Sequence, residues 1–233
     1  MNTDIRKLAE EDSPDFHNDV LEKMCDVYNP DLRFFRPDTK TESVDVNINK
    51  VIGHDQMYQP MSWSYMLEHL KRINRRCKDL AENPSYYMKR QKEDKCLFIE
   101  TEGNYFISAG KHRTTVLKYL AHFNPDIFPD GPIMRGVEVI SRQIDYALEK
   151  DIERIKILLD RSELQHLRLG IKREFSREVS FYIANDARQT RYIFLTRDEL
   201  PVMIEALESD NLLQRMFGKE YSRYFRKSWL FPW

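Results

Sequence analysis

With 233 residues and a formal net charge of −1, the chain suits one sizeable domain or a core with a smaller appendage, and it is not a globally basic nucleic-acid binder. Hydrophobic residues at 41% and aromatics at 12% are enough for a proper core, and 32% charged residues with few glycines point to a compact, soluble protein. The sequence has no run of membrane-spanning length, no signal-peptide core at its start, and three scattered cysteines (Cys25, Cys77, Cys96) without metal-ligand spacing. These features predict a cytoplasmic protein with reduced thiols, no structural zinc and no membrane partner.

In chain order, residues 1–40 are acidic, then mixed, and are punctuated by Pro14, Pro30 and Pro37. Phe16, Val20, Leu21 and Met24 predict one amphipathic helix that either packs on the main domain or serves as a partner-binding arm. The stretch VDVNINKVI alternates Val44, Val46 and Ile48 with polar neighbours and reads as a strand. A turn, GHDQMYQP, closes at Pro60. Ser62 or Ser64 then caps a helix with Met66, Leu67, Leu70 and Ile73 on its buried side. The opposite side carries Lys71, Arg72, Arg75, Arg76 and Lys78, the most basic face in the chain. It reads either as a phosphate-backbone contact or as a solvated face offset by Glu68, Asp79 and Glu82.

Residues 83–95 read as a loop or short helix, CLFIE as a strand, and Gly103-Asn104 as a hairpin turn. The next stretch, NYFISAGKHRTTVLKYL, is a short strand, a glycine corner at Gly110 and a helix in which Val116, Leu117 and Leu120 recur at helical spacing. A helix start offers unpaired N–H groups and the positive end of the dipole. Lys111, His112 and Arg113 are electrostatically misplaced in that first turn unless something negative binds there, which makes the corner a candidate anion or phosphate site. Ordinary strand-to-helix packing remains the other reading. The corner is not a P-loop, because His112 stands where Ser or Thr is needed and the earlier glycine is missing.

A proline-rich connection leads to the strand GVEVISRQI and to a helix from about Tyr146 to Arg161 with Leu148, Ile152, Ile155 and Leu159 in register. From Glu174, EVSFYIAND and TRYIFLT read as two strands joined at Asn185 to Arg188. Thr196 and Glu199 form a capping box for a last helix, with Pro201 in its first turn. The aromatic tail YFRKSWLFPW either docks on the body or forms an interface between copies.

The order of these pieces from Val44 to Asp145 resembles the ParB/sulfiredoxin-like superfamily: a strand, a Gln-Pro turn (Gln59, Pro60), a helix, a hairpin entering a Gly-x-x-Arg corner (Gly110, Arg113), and a further strand. The resemblance implies an α+β fold, a mixed-sheet core with flanking helices, and a C-terminal β-hairpin plus helix extension. The corresponding division is 1–40 as an N-terminal helical arm, 41–162 as the superfamily domain and 163–233 as the extension. It also implies that the corner binds nucleotide phosphate, CTP or ATP, with Mg²⁺ neutralising the polyphosphate. Gly110 would allow close backbone approach, Arg113 would clamp the phosphate, and Lys111, His112, Thr114 and Gln59 would complete the site. Asp55 in the Gln-Pro loop and His112 are the catalytic candidates for a phosphotransferase or NTPase.

The chain departs from the superfamily's branches in specific ways. Lys111 occupies the position where sulfiredoxins carry their catalytic cysteine, which excludes thiol chemistry there. Met61, Thr115 and Val116 replace residues of the chromosome-partition branch, against a CTP-switched DNA clamp. The alternative function is a DNA-binding module or nuclease of plasmid, phage or DNA-modification systems, using the same corner and the basic helix.

Overall fold

The computed structural model describes residues 1–28, 33–89, 96–161, 164–165, 167–173, 179–185 and 192–209. The chain divides into two compact units, Met1–Ile144 and Asp145–Trp233. Residues 1–40 thus belong to the first unit, and the helix that follows Asp145 belongs to the second.

The first unit contains, in order, α1 (Ile5–Glu11), a 3-10 turn at Asp15–Asn18, β1 (Val20–Lys23), α2 (Met24–Val27), β2 (Lys40–Asn47), a 3-10 turn at Ile48–Lys50 and β3 (Val51–His54). It continues through β4 (Met61–Ser62), α3 (Trp63–His69), α4 (Ile73–Glu82), a 3-10 turn at Pro84–Met88, β5 (Leu97–Thr101), β6 (Asn104–Ala109), α5 (Lys111–His122) and β7 (Ile133–Ser141). The strands make one mixed sheet in the order β2-β7-β5-β6-β3-β1-β4. The β5–β6 hairpin turns through Glu102 and Gly103, both at positive φ, as a tight two-residue connection requires.

Both faces of the central strands are buried. Phe98 and Ile107 join the large core with Trp63, Tyr119 and Leu120, while the alternate residues Ile99 and Phe106 meet Met24, Tyr28 and Ile144 on the other side. α5 is buried from Arg113 to Ala121, and it brings the polar residues Arg113, Thr114, Thr115 and Lys118 inside with it.

Three sequence-based expectations fail here, one to tertiary pairing and two to local redirection of the backbone. The amphipathic helix expected from Phe16 to Met24 does not form. Val20–Lys23 instead pairs parallel to β3 and antiparallel to β4, and Phe16 stands apart from it in ring contact with Trp63 and Tyr119. The strand expected through Ile48 is two strands, because Asn47 accepts the Asn49 amide at 2.9 Å and starts a 3-10 turn. The helix expected from Ser62 through Ile73 is likewise two. Ser62 caps α3 by accepting the Tyr65 amide at 3.1 Å, but the backbone turns extended at Leu70 before α4 begins.

The second unit contains α6 (Tyr146–Leu159), capped by the Asp145 side chain, then β8 (Leu167–Arg173), β9 (Val179–Asn185) and β10 (Tyr192–Leu195) in an antiparallel sheet of order β10-β9-β8. A 3-10 turn at Arg197–Glu199 carries the expected Thr196–Glu199 capping box and leads into α7 (Leu200–Glu208), where Glu208 pairs with Arg154 of α6. Strand β8 was not anticipated from the sequence, where Gly170 interrupts its pattern. Residues 90–95, the connection beyond Asn185 and the aromatic tail lie outside the described residues. No helix among the described residues is long and apolar enough to cross a membrane.

Candidate functional site

The strand-to-helix corner depends on Gly110. Its φ of +98° lies in the left-handed region, and an added Cβ would come within 2.7 Å of Cys96 Sγ. Cys96 immediately precedes β5, so glycine lets that neighbouring strand close onto the corner. No side chain caps α5; the Arg113 and Thr114 amides donate to the Gly110 carbonyl at 3.0 and 3.1 Å, so the helix start offers the Lys111 and His112 N–H groups and the positive end of its dipole.

Three cationic or titratable side chains follow in the first turn. The Lys111 ammonium lies 3.7 Å from the centre of the Tyr58 ring, and partial burial lowers its pKa. The Arg113 side chain is buried, donates from Nη1 to Cys96 Sγ at 3.7 Å, and stands 5.3 Å from the Tyr86 ring. His112 is half-buried, and its shielded Nε2 has no hydrogen-bond partner. Burial is the largest cause of its lowered pKa, followed by the charges of Lys111, Arg76 and Arg72.

That last pair joins two features that the sequence keeps far apart. Arg72 precedes α4 as its N-cap and Arg76 follows one turn later, so the basic helix delivers charge to the corner. Arg76 also acts on Arg113, Tyr87 and Cys96, and it pairs with Asp79 at 3.1 Å. Among the described residues, Asp79 is a carboxylate whose charge reaches Arg113. Cations therefore outnumber carboxylates among the described residues that act on the corner. Lys71 is exposed in the turn before α4, and Arg75 and Lys78 are exposed along it, with Lys78 paired to Glu82 at 3.9 Å.

The Gln-Pro loop runs alongside. The Asp55 amide donates to Ile107 O at 3.0 Å and Gln56 Nε2 to Ser108 O at 2.8 Å, so the loop follows β6 to its end, and Asp55 itself is exposed. Two expected site residues are otherwise engaged. Gln59 Oε1 accepts from Lys23 Nζ at 3.3 Å. Thr114 is fully buried, and its hydroxyl donates to the Gly110 carbonyl at 3.2 Å.

Sequence reasoning missed His54, Tyr58, Tyr86 and Cys96. His54 closes β3 next to Ile107 of β6 and is held below its ordinary pKa by burial, with Lys111 and Lys23 adding to the effect. The signal for it was available: His54 directly precedes the Gln-Pro loop, and β3 is the parallel neighbour of the strand that carries the corner.

A separate cavity of about 100 Å³ beside Tyr87 and Phe128 is smaller than the several hundred Å³ typical of small-molecule pockets. Among the described residues, no group of three or more His, Cys, Asp or Glu side chains is placed to hold a metal ion. Compared with known proteins, the chain matches no family model, no curated protein and no solved structure.

Proposed function

We propose that the first unit is a ParB/sulfiredoxin-like domain that binds the phosphates of a nucleotide, ATP or CTP, at the start of α5. The observation that carries this reading is the convergence of Lys111, His112 and Arg113 with Arg72 and Arg76 on an uncapped helix start, with Asp79 as the opposing carboxylate. An anion there would be attracted by this positive charge and would accept from the Lys111 and His112 N–H groups. Lys111 and His112, the more accessible pair, contact the phosphate, while Arg113 contributes charge from the buried side, where screening is weak. The described side chains fit phosphate but offer no metal cage, so Mg²⁺ would arrive on the polyphosphate. Phosphotransfer or NTP hydrolysis extends this reading, with the exposed Asp55 orienting the nucleophile.

A second reading, DNA-phosphate binding without chemistry, is favoured by the exposed Lys71, Arg75 and Lys78, which continue the positive surface along α4.

Calorimetric titration with ATP, CTP and pyrophosphate, with and without Mg²⁺, tests both readings. Nucleotide binding is expected to weaken roughly tenfold or more in Lys111→Ala and in Arg76→Ala, with folding confirmed by circular dichroism. His112 is held neutral by burial and nearby cations, so a bound phosphate raises its pKa and binding takes up a proton. Affinity therefore falls as pH rises, and the apparent enthalpy varies with the buffer's ionisation enthalpy. If none of the three ligands binds, the nucleotide reading is wrong. Salt-sensitive duplex binding lost in Arg75→Ala would then support the second reading.

A further inference from the structure

In the second unit, the three-stranded sheet carries exposed aromatic residues on one face. The registers Gly170↔Tyr182↔Phe194 and Arg168↔Ala184↔Tyr192 place these residues on one face. Of the alternate positions, Leu167, Phe181, Ile183 and Leu195 are buried. The inner face buries aliphatic side chains together with Phe181, whereas the outer face carries the rings of Tyr182, Tyr192 and Phe194. Tyr192 is 49% exposed and Phe194 69% exposed, far more than a core requires.

The rings form one continuous surface. Tyr182 lies 5.3 Å from Tyr192 and 6.3 Å from Phe194, centre to centre, and Tyr192 lies 6.4 Å from Phe194. Gly170 fixes the attitude of the central ring: a Cβ there would fall 2.0 Å from Tyr182 Cζ, so the tyrosine lies across β8 over a position with no side chain. Arg168 and Lys172 flank it on the same face and are exposed, and no residue at the outward positions of the three described strands is acidic.

We propose that this face is a stacking platform for single-stranded nucleic acid. Unpaired bases present flat π faces that stack on aromatic side chains without sequence preference, and flanking cations follow the phosphates. A duplex keeps its base faces stacked inside, so a flat aromatic sheet cannot reach them. This site is independent of the corner, lies in the other unit, and stands or falls separately from the nucleotide reading.

The test is fluorescence anisotropy of labelled dT and rU oligonucleotides, roughly the length one small fold accommodates, and of a duplex of equal length, with the full chain. Single strands are expected to bind more tightly than the duplex, and to weaken as salt rises. Phe194→Leu keeps the apolar area but removes the ring, and it should weaken binding roughly tenfold, with Phe194→Trp restoring it. Both variants alter an exposed edge-strand residue, and circular dichroism checks that they fold. The dT and rU arms distinguish DNA from RNA, and a preference for either supports the platform. Three results would overturn it: no single-strand binding, a duplex bound as tightly as the single strands, or full affinity in Phe194→Leu. A dimer that dissociates in Phe194→Leu, without oligonucleotide binding, would assign the face to contact between copies instead.

Discussion

At the corner, Gly110 and Cys96 act as one unit. A substitution at Gly110 meets both the left-handed φ, which costs other residues about 1–2 kcal/mol, and the Cys96 thiol. Gly110→Ala is expected to destabilise the protein by at least about 2 kcal/mol in chemical denaturation. Adding Cys96→Ala should recover the part due to overlap but not the part due to φ, which a double-mutant cycle would separate. Lys118 offers a second test. Its ammonium is buried between the Phe16 and Trp63 rings, at 4.6 Å and 4.5 Å, and reaches Asn49 Oδ1 at 3.3 Å. Burial pushes its pKa down to about 8, against the partial support of Asp19. Between about pH 8 and 10.5 the unfolded chain holds a proton that the folded chain has released, so stability rises across that range. Lys118→Met should flatten this rise and stabilise the protein near pH 7 by up to about 3 kcal/mol, less whatever the ring contacts contribute. The glycine and its cationic turn were legible in the sequence, because a positive-φ glycine at a change of period leaves a local mark. Cys96, Tyr86 and Arg76 were not, because they reach the corner only through the closing of the sheet and the placement of α4.

Among the elements, β1 separates what spacing suggested from what pairing does. Phe16, Val20, Leu21 and Met24 sit at helical intervals, yet they fall on a 3-10 turn, a strand and the start of α2. A four-residue strand paired on both sides gains ladder hydrogen bonds and buries Leu21, which outweighs a weak local preference. An appended arm is dispensable, but an inner strand is not. Removing residues 1–24 is therefore expected to abolish cooperative unfolding of the first unit, which thermal denaturation with proteolysis would reveal. If the shortened chain unfolds cooperatively at an unchanged temperature, β1 is not integral. The helices α5, α6 and α7 were readable because their periodicity and caps are internal to each segment. The α3–α4 break and the turn after Asn47 were not, because single residues, Leu70 and Asn47, redirect the chain without interrupting the apolar pattern.

For the whole molecule, a net charge of −1 conceals its arrangement. Positive charge gathers at the start of α5 and along α4, and again beside the aromatic face of the second unit. The α+β class and the strand-corner-helix order were readable from the sequence. The full sheet order was not, because β1 enters between β3 and β4 and β2 pairs with β7, neither of which has a signature in local composition.

That pairing of β2 also governs the order in which the chain can complete itself during synthesis. Among the described strands, β2 lies at the sheet edge beside β7, and β3, already beside β1, takes its second neighbour from β6. β2 thus emerges before its partner exists and β3 before its second neighbour does, and loop closure has to precede the contacts that reward it. The nascent chain carries open strand edges until Ser141 has been made, and during that interval a chaperone would find most to hold.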